Sequence, residues 1–197
     1  MTTRDDHRPA RTATARSVSR ARAALPALLL CLTTLATGCS MNDTDDLDYT
    51  PATLDVDAAK TRTKQVSSEV FDMIGLPGAT TTPTGPSASV CAQDPEHLYA
   101  TRHPWSVYGV SDEELKQGFE RLRHALPAQG WKVVSYGPNK SKARNLELTA
   151  DSGKDRFAVN AELSVGGTDP GKKHLIVVNV VSGCFRAPEG TDLDTLF

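Results

Sequence analysis

The chain has 197 residues, with 22 Lys and Arg against 24 Asp and Glu, a formal net charge of −2. Residues 1–38 hold six of the basic and two of the acidic residues, so residues 39–197 carry 16 against 22, a net charge of −6. An acidic domain is a poor match for nucleic acid or for an anionic lipid surface, so composition argues against both partners. The length after residue 38 suffices for one modest domain with its own core.

An apolar run over residues 23–36 follows Arg16, Arg20 and Arg22. The run is about 14 residues long, shorter than the ~20 residues that cross a bilayer as a helix. Cations before a short apolar run and small residues after it are typical of an export signal that is removed. The sequence therefore predicts a signal peptide over residues 1–38, with an uncleaved membrane anchor as the weaker alternative.

The run ends in Ala36-Thr37-Gly38, directly before Cys39. This end resembles the lipobox of bacterial lipoproteins, although Leu is more usual than Ala36 three residues before the cysteine. The resemblance implies cleavage after Gly38 and a diacylglycerol thioether on the Cys39 sulfur. Each buried methylene contributes ~0.8 kcal/mol, so two or three acyl chains anchor a protein durably. We therefore expect the protein on the outer face of the cytoplasmic membrane, with the membrane as a partner through this lipid.

Two alternatives to lipidation at Cys39 remain open. The first is an ordinary secretory signal in which Cys39 is incidental. The second is attachment at Cys31, which the bulky Leu30 before it disfavours because signal peptidase pockets take small residues.

Three segments separate this cysteine from the main domain. Residues 39–53 are rich in aspartate and predict a solvated acidic tether. Residues 54–75 repeat apolar side chains at steps of three and four, which predicts an amphipathic helix that ends at Gly75 and Pro77. Residues 76–90 are rich in Gly, Pro, Thr and Ser and predict a linker or a long surface loop, so we expect the helix to pack only weakly.

The segment 92–110 is turn-rich, and we expect a loop with a short first strand over residues 105–108. It carries aromatic or imidazole groups at Tyr99, His103, Trp105 and Tyr108. Such groups on a loop offer stacking and hydrogen bonds at low entropic cost. These four are therefore the candidate binding residues.

The best-marked helix is predicted over residues 111–127. Ser111 and Glu114 form an S-x-x-E capping box, which makes Ser111 a helix cap rather than a nucleophile. One face of this helix is apolar, and Pro127 with Gly130 ends it. The apolar positions are Leu115, Phe119, Leu122 and Leu126.

Four strand-like segments follow the helix, at residues 131–136, 145–150, 156–165 and 175–181. The last is apolar on both faces, as in a strand at the middle of a sheet or under a helix. Short turns between them favour an antiparallel four-stranded meander, or five strands with the short first one. The predicted fold is α+β, a two-layer sandwich of sheet and one or two helices over residues 91–187, with a C-terminal tail over 188–197.

Cys91 and Cys184 are the two cysteines that follow Cys39. An even pair in an oxidising compartment normally bridges, so we predict a disulfide between them. A metal pair or a reactive thiol is the rival interpretation, although neither cysteine lies in a C-x-x-C motif or beside a histidine.

No motif for catalysis is present: the chain has no G-x-S-x-G, H-E-x-x-H, P-loop or dinucleotide fingerprint. Asp94, Glu96, His97 and His103 are spaced unlike a familiar set of metal ligands, and a polar loop explains them more simply. We therefore expect no enzyme, no metal and no cofactor.

Several runs together look like a group of small exported lipoproteins of actinobacteria. They are Cys91, WSVYGV at 105–110, LPAQGWK at 126–132, SKARN at 141–145 and Cys184-Phe185. The likeness implies an envelope location and this type of fold over residues 54–187, and it brings no activity.

Two functional hypotheses follow. The first is a membrane-anchored, non-enzymatic envelope lipoprotein that binds a partner protein or wall component through residues 92–110 or an open sheet face. The alternative is a small-ligand or lipid-binding module with a cavity between sheet and helices. A continuous pocket would favour the second hypothesis, and a filled core the first.

Overall fold

The computed structural model describes residues 47–166 and 173–196, which belong to one unit. Residues 1–46, with the predicted signal peptide, Cys39 and the first part of the predicted tether, lie outside the described residues. Two helices pack on one face of a sheet that has eight strands in the described part of the chain. This arrangement confirms the predicted α+β two-layer sandwich.

The helices are α1 (Val56–Ile74) and α2 (Asp112–Ala128). The strands are β1 (Thr80–Thr81), β2 (Ser87–Val90), β3 (Leu98–Tyr108), β4 (Lys132–Pro138), β5 (Leu146–Ser152), β6 (Phe157–Ser164), β7 (Leu175–Ser182) and β8 (Phe185–Arg186). The order across the sheet is β1-β3-β7-β6-β5-β4, and β2 and β8 also pair with β3. All of these pairs are antiparallel.

Strands β4 to β7 form the predicted meander, each paired with the next along the chain. Strand β7 lies between β3 and β6, which confirms its predicted place in the middle of the sheet. Alternate residues of β6 and β7 are buried under the helices, as the period of a half-buried strand requires. The face turned away from the helices carries the partly exposed residues, among them Val177 with 39% exposure.

Helix α2 begins at its predicted cap. The Ser111 hydroxyl accepts from the Glu114 N–H at 3.3 Å, and the Glu114 carboxylate accepts from the Ser111 N–H at 2.9 Å. The predicted apolar face is buried, and Gly118 on the same helix lets α1 approach closely. A Cβ at Gly118 would lie 3.1 Å from Ile74 Cγ2 at the end of α1 and 2.7 Å from Leu76 Cδ1 just after it.

Helix α1 packs on the sheet and on α2, and its buried face includes Ala59, Val66 and Val70. Arg121 of α2 fixes its end by donating to the carbonyls of Ile74 at 2.9 Å and Gly75 at 3.0 Å. The expectation of weak packing for this helix is therefore wrong. The apolar stripe of α1 serves as part of the core.

The predicted linker over residues 76–90 contains β1 and β2, both paired with β3, so the expectation of a loop there is also wrong. Between these two strands the ladder is interrupted because Pro83 and Pro104 have no N–H. Threonine side chains replace it: Thr82 accepts from Ser106 N–H at 3.0 Å, and Thr84 donates to the Pro104 carbonyl at 2.7 Å. Two short strands around prolines leave little periodicity to detect.

The two ends of the described chain also pack on the domain. The Cys184 N–H donates to the Tyr49 hydroxyl at 2.6 Å, and the Arg156 guanidinium lies 4.5 Å from the Tyr49 ring centroid. Residues 47–53 thus contact the domain, which differs from the predicted free tether, although Asp48, Thr50, Ala52 and Thr53 are exposed. In the predicted C-terminal tail, Leu193 is buried.

Cys91 and Cys184 are at disulfide distance, with their sulfurs 2.08 Å and their Cα atoms 6.3 Å apart. The bridge joins Cys91, directly after β2, to Cys184, between β7 and β8. Neither described helix is long and apolar enough to cross a bilayer.

Candidate functional site

The four candidate binding residues lie on a strand and not on a loop. Residues 98–108 form β3, which pairs with β7 along most of its length. Tyr99, His103 and Trp105 lie on its helix-facing side and are buried, whereas Tyr108 lies on the opposite face and is half-buried. Polar residues and Pro104 interrupt the alternation of apolar and polar side chains in this strand. For this reason the sequence pattern predicted a loop here.

Tyr99 is a core residue. Its hydroxyl donates to the Leu54 carbonyl at 2.8 Å, and its ring lies 5.9 Å from that of Phe185. Burial, together with the nearby Asp55 carboxylate, raises the pKa of Tyr99 to about 12. The Tyr99 side chain therefore holds the residues just before α1 against the sheet and does not contribute to a binding surface.

His103 joins α1 to the segment before β2. Its Nε2 lies 3.0 Å from the Thr84 carbonyl oxygen, which only accepts, so Nε2 carries a proton. In the neutral ring Nδ1 then accepts from the Ser67 hydroxyl at 2.8 Å. Both ring nitrogens are occupied, so His103 positions other residues.

Trp105 is only 6% exposed, and its ring meets that of Phe71 edge-on with the centroids 6.1 Å apart. The indole Nε1 is buried and has no hydrogen-bond partner within residues 47–166 and 173–196. An unsatisfied buried donor costs about 1–3 kcal/mol, so this N–H marks a place where an acceptor is missing.

Two grooves lie on either side of α1. The interhelical groove, between α1 and α2, has a volume of about 1030 Å³. Its floor is apolar and consists of Val66, Met73, Ala125, Trp131 and Phe157, and its rim carries the carboxylates of Glu69, Asp72, Glu120 and Asp155. A groove with an apolar floor and an acidic rim suits an amphipathic ligand with positive charge.

Two of the rim carboxylates already have partners. Asp155 pairs with Arg62 at 2.9 Å, and Glu120 accepts from Tyr136 at 2.5 Å and from Arg123 at 2.8 Å. The hydrogen bond from Tyr136 lowers the pKa of Glu120, which keeps this carboxylate charged.

The other two rim carboxylates are available. Glu69 and Asp72 are exposed and make no ion pair with another described residue. The guanidinium of Arg121, on the opposite wall, donates to the backbone carbonyls of Ile74 and Gly75 and keeps its positive charge. The four rim carboxylates outnumber this cation and the two arginines that pair with them, so the groove carries an excess of negative charge.

The strap groove lies on the other side of α1 and has a volume of about 660 Å³. We call residues 79–84 the strap, because they run along β3 opposite α1. The walls are hydroxyl-rich, with aromatic rings at the base and one charge of each sign. Its lining includes Lys64, Ser68, Phe71, Asp72, Thr82 and Trp105.

The outer face of the sheet, the other surface considered from the sequence, carries carboxylates that are already satisfied. Glu162 accepts from Asn145 at 2.7 Å and from Asn139 at 3.1 Å, and Glu147 accepts from Asn160 at 3.1 Å. Asn179 on the same face differs, because its Oδ1 is buried and has no hydrogen-bond partner within the described residues.

The histidines and acids near residue 97 do not converge. Asp94 and His97 pair at 2.8 Å in an exposed turn, whereas His103 is engaged under α1. Among the described residues, no group of three or more His, Cys, Asp or Glu side chains is placed to hold a metal ion. His174 pairs with Asp112 at the start of α2.

No protein-family model, curated protein or solved structure matches the chain. The sequence did identify His103 and Trp105, which line the strap groove. It missed both grooves, because their walls come from segments far apart along the chain. The acidic residues of α1 were the one sign of the interhelical groove in the sequence. Acidic residues are also usual on any solvent-exposed helix face, so they did not distinguish a binding site.

Proposed function

We propose that this protein is a non-enzymatic, lipid-anchored envelope protein that binds a partner protein through the interhelical groove. The observation that carries the proposal is the pairing of an apolar floor with two unpaired carboxylates, Glu69 and Asp72, on the rim. The partner segment that fits is basic and amphipathic, because its apolar side chains would cover the floor while its cations meet the rim.

The shape of the groove, and not its volume, supports a polypeptide. Small-ligand pockets are usually about 300–1,000 Å³ and bury most of the ligand. The interhelical groove has a volume of about 1030 Å³ and is lined along both helices, which is the geometry of a segment laid in a groove.

The lipid anchor restricts where the partner can be. The described chain starts beside the disulfide, because Tyr49 bonds to Cys184. Only residues 39–46 separate an anchored Cys39 from it, and eight residues span at most about 28 Å. The proposal therefore holds the disulfide end of the domain close to the bilayer, and we expect the partner at or near the membrane.

A photo-crosslinking amino acid at Met73 tests the proposal in the producing cells. Met73 lies on the groove floor and is partly exposed. We expect one dominant protein adduct from this position and none from Val177 on the outer face of the sheet. Adducts from Val177 alone would move the interface to the open sheet face, and no adduct from either position would contradict a protein partner.

Charge reversal gives a matched second test. Glu69→Lys should reduce the Met73 adduct about tenfold, because it replaces an attraction at the rim by repulsion. Glu96→Lys makes the same charge change in the exposed turn before β3 and should leave the adduct unchanged. Equal loss in both variants would indicate only a general effect of net charge.

A small-ligand module remains the second candidate. The strap groove favours it, because about 660 Å³ lies within the range of small-ligand pockets.

A further inference from the structure

We propose that the free edge of β4 is a second binding site, and that its ligand is an acidic, extended segment of a partner protein that adds to the sheet as a further strand. No residue of β4 lines the interhelical groove. The inference therefore goes beyond the partner proposed for that groove and does not depend on it.

The first argument is the unpaired backbone of β4. This strand is seven residues long and pairs only with β5, so it is the longest described strand with a free edge. The Asn139 N–H donates to the Asn145 carbonyl at 2.8 Å, and alternation along the antiparallel pair then turns the N–H and C=O of Tyr136 away from β5. No described residue outside β5 bonds to the backbone of β4. An added strand would pair with these free groups.

The second argument is the apolar surface that β4 leaves exposed. Val134 is 55% exposed and Tyr136 is 41% exposed, and they are two of the three large hydrophobic side chains that are exposed in the described part of the chain. The Tyr136 ring packs on Phe119 of α2, with the centroids 6.4 Å apart, and the rest of the ring faces solvent. Side chains on neighbouring strands contact each other, so an added strand would cover both residues.

The third argument is the charge of the loop that joins β4 to β5, residues 139–145, which we call the basic hairpin. Lys140, Lys142 and Arg144 are exposed and form no ion pair with a described residue. Glu162 accepts hydrogen bonds from the base of the hairpin, so three cations stand against one carboxylate there. This local excess of positive charge, on a chain that is acidic overall, favours an acidic ligand beside β4.

The charges also distinguish this ligand from a second copy of the chain. Two copies that pair through β4 around a two-fold axis are antiparallel, so Lys132 at the start of one strand would approach the basic hairpin of the other. Like charges that face each other across a pair of strands are destabilising. Lysine, a bulge and proline also protect edge strands from one another, and β4 has all three at Lys132, Val134 and Pro138. An acidic strand from a different protein meets no such repulsion.

Nuclear magnetic resonance of the backbone amides tests the proposal on the purified, disulfide-bonded Cys39→Ser protein, so the result is independent of the anchor. The probe is a short synthetic peptide of alternating valine and threonine with a glutamate at each end. We expect the probe to shift the Tyr136 amide signal and to slow its hydrogen exchange, because a carbonyl of the peptide accepts from this N–H. The Gly137 N–H faces β5, so its exchange rate should not change.

Two control peptides separate the contribution of charge from that of strand pairing. Lysines in place of the glutamates should weaken binding about tenfold or more, because they replace attraction to the basic hairpin by repulsion. Methylation of alternate backbone nitrogens removes the hydrogen bonds of an added strand and should abolish binding. The proposal is wrong if the glutamate peptide leaves the Tyr136 amide unchanged, if the lysine peptide binds as tightly, or if the methylated peptide still binds.

A matched pair of variants places the site on the protein. Lys142→Glu in the basic hairpin should weaken binding of the glutamate peptide about threefold or more, since it reverses an exposed charge beside the ligand. Lys64→Glu makes the same change on the exposed surface of α1 and should leave the affinity unchanged. An unchanged Gly137 exchange rate shows that β4 and β5 remain paired in each variant. Equal weakening by the two variants would reflect net charge alone and would overturn the site.

Discussion

Tyr136 and Glu120 connect the edge strand β4 to α2 beside the interhelical groove. The Tyr136 hydroxyl donates to Glu120 at 2.5 Å, and the Arg123 guanidinium lies 4.8 Å from the Tyr136 ring centroid. The hydrogen bond lowers the pKa of Glu120, and burial followed by this same bond raises the pKa of Tyr136. A lowered carboxyl pKa contributes stability above the unfolded value of ~4.3, and the contribution is lost as pH falls through the folded pKa.

We predict that Tyr136→Phe lowers the free energy of unfolding at pH 7 by less than about 1 kcal/mol, because the pair is largely exposed. The pKa of Glu120 should rise toward its ordinary value, so the difference from wild type should disappear as the pH falls through the lowered pKa. Urea unfolding between pH 7 and pH 2 measures this. Tyr108→Phe, on the other face of the sheet, should show no such pH dependence. A loss that is equal at every pH would mean that Tyr136 acts through packing alone.

At the scale of elements, α2 depends on its first turn. Ser111→Ala removes one acceptor for the helix N–H groups and should lower the free energy of unfolding by about 1 kcal/mol. Ser111→Asp keeps an acceptor at the cap and should retain most of the stability. Chemical denaturation of the three proteins at neutral pH compares them. If Ser111→Asp were as destabilised as Ser111→Ala, the hydroxyl would have a role other than capping.

Elements whose apolar pattern continues without interruption could be predicted from the sequence. Elements whose pattern is interrupted by polar residues or proline could not. Helix α2 has four apolar residues on one face, and β6 and β7 have sustained apolar positions, so their patterns outweigh local propensity. Strand β3 contains Thr101, His103 and Pro104, which interrupt its apolar pattern. The sequence therefore did not predict this strand, although it pairs with β7 and is buried on one face. Strands β1 and β2 are held by pairing with β3, a long-range contact that local composition does not report.

The candidate site was predictable only in part, for the same reason. Trp105 and His103 stood out as residue types, but their burial depends on α1 lying over β3. The grooves depend on the spacing of α1, α2 and the strap. That spacing is set by contacts such as Gly118 against Leu76, which join residues far apart in the sequence.

At the scale of the whole molecule, the disulfide ties the end of β2 to the segment between β7 and β8. The bridged cysteines are 93 residues apart, and in the chain-entropy model closing a loop of that length contributes about 4–5 kcal/mol. The double variant Cys91→Ser/Cys184→Ser should therefore lose a large share of the stability of a small domain. Urea unfolding of this variant against the oxidised wild type gives the difference. A loss below about 1 kcal/mol would contradict this contribution.

The location of the molecule decides which partners it can meet, so the anchor at Cys39 is the central claim. Mass spectrometry of the mature protein from the cells that produce it tests the claim directly. We predict an amino terminus at Cys39 that carries a diacylglycerol thioether, and release of a Cys39→Ser variant from the membrane. An amino terminus elsewhere, or a residue 39 without acyl chains, would contradict the account.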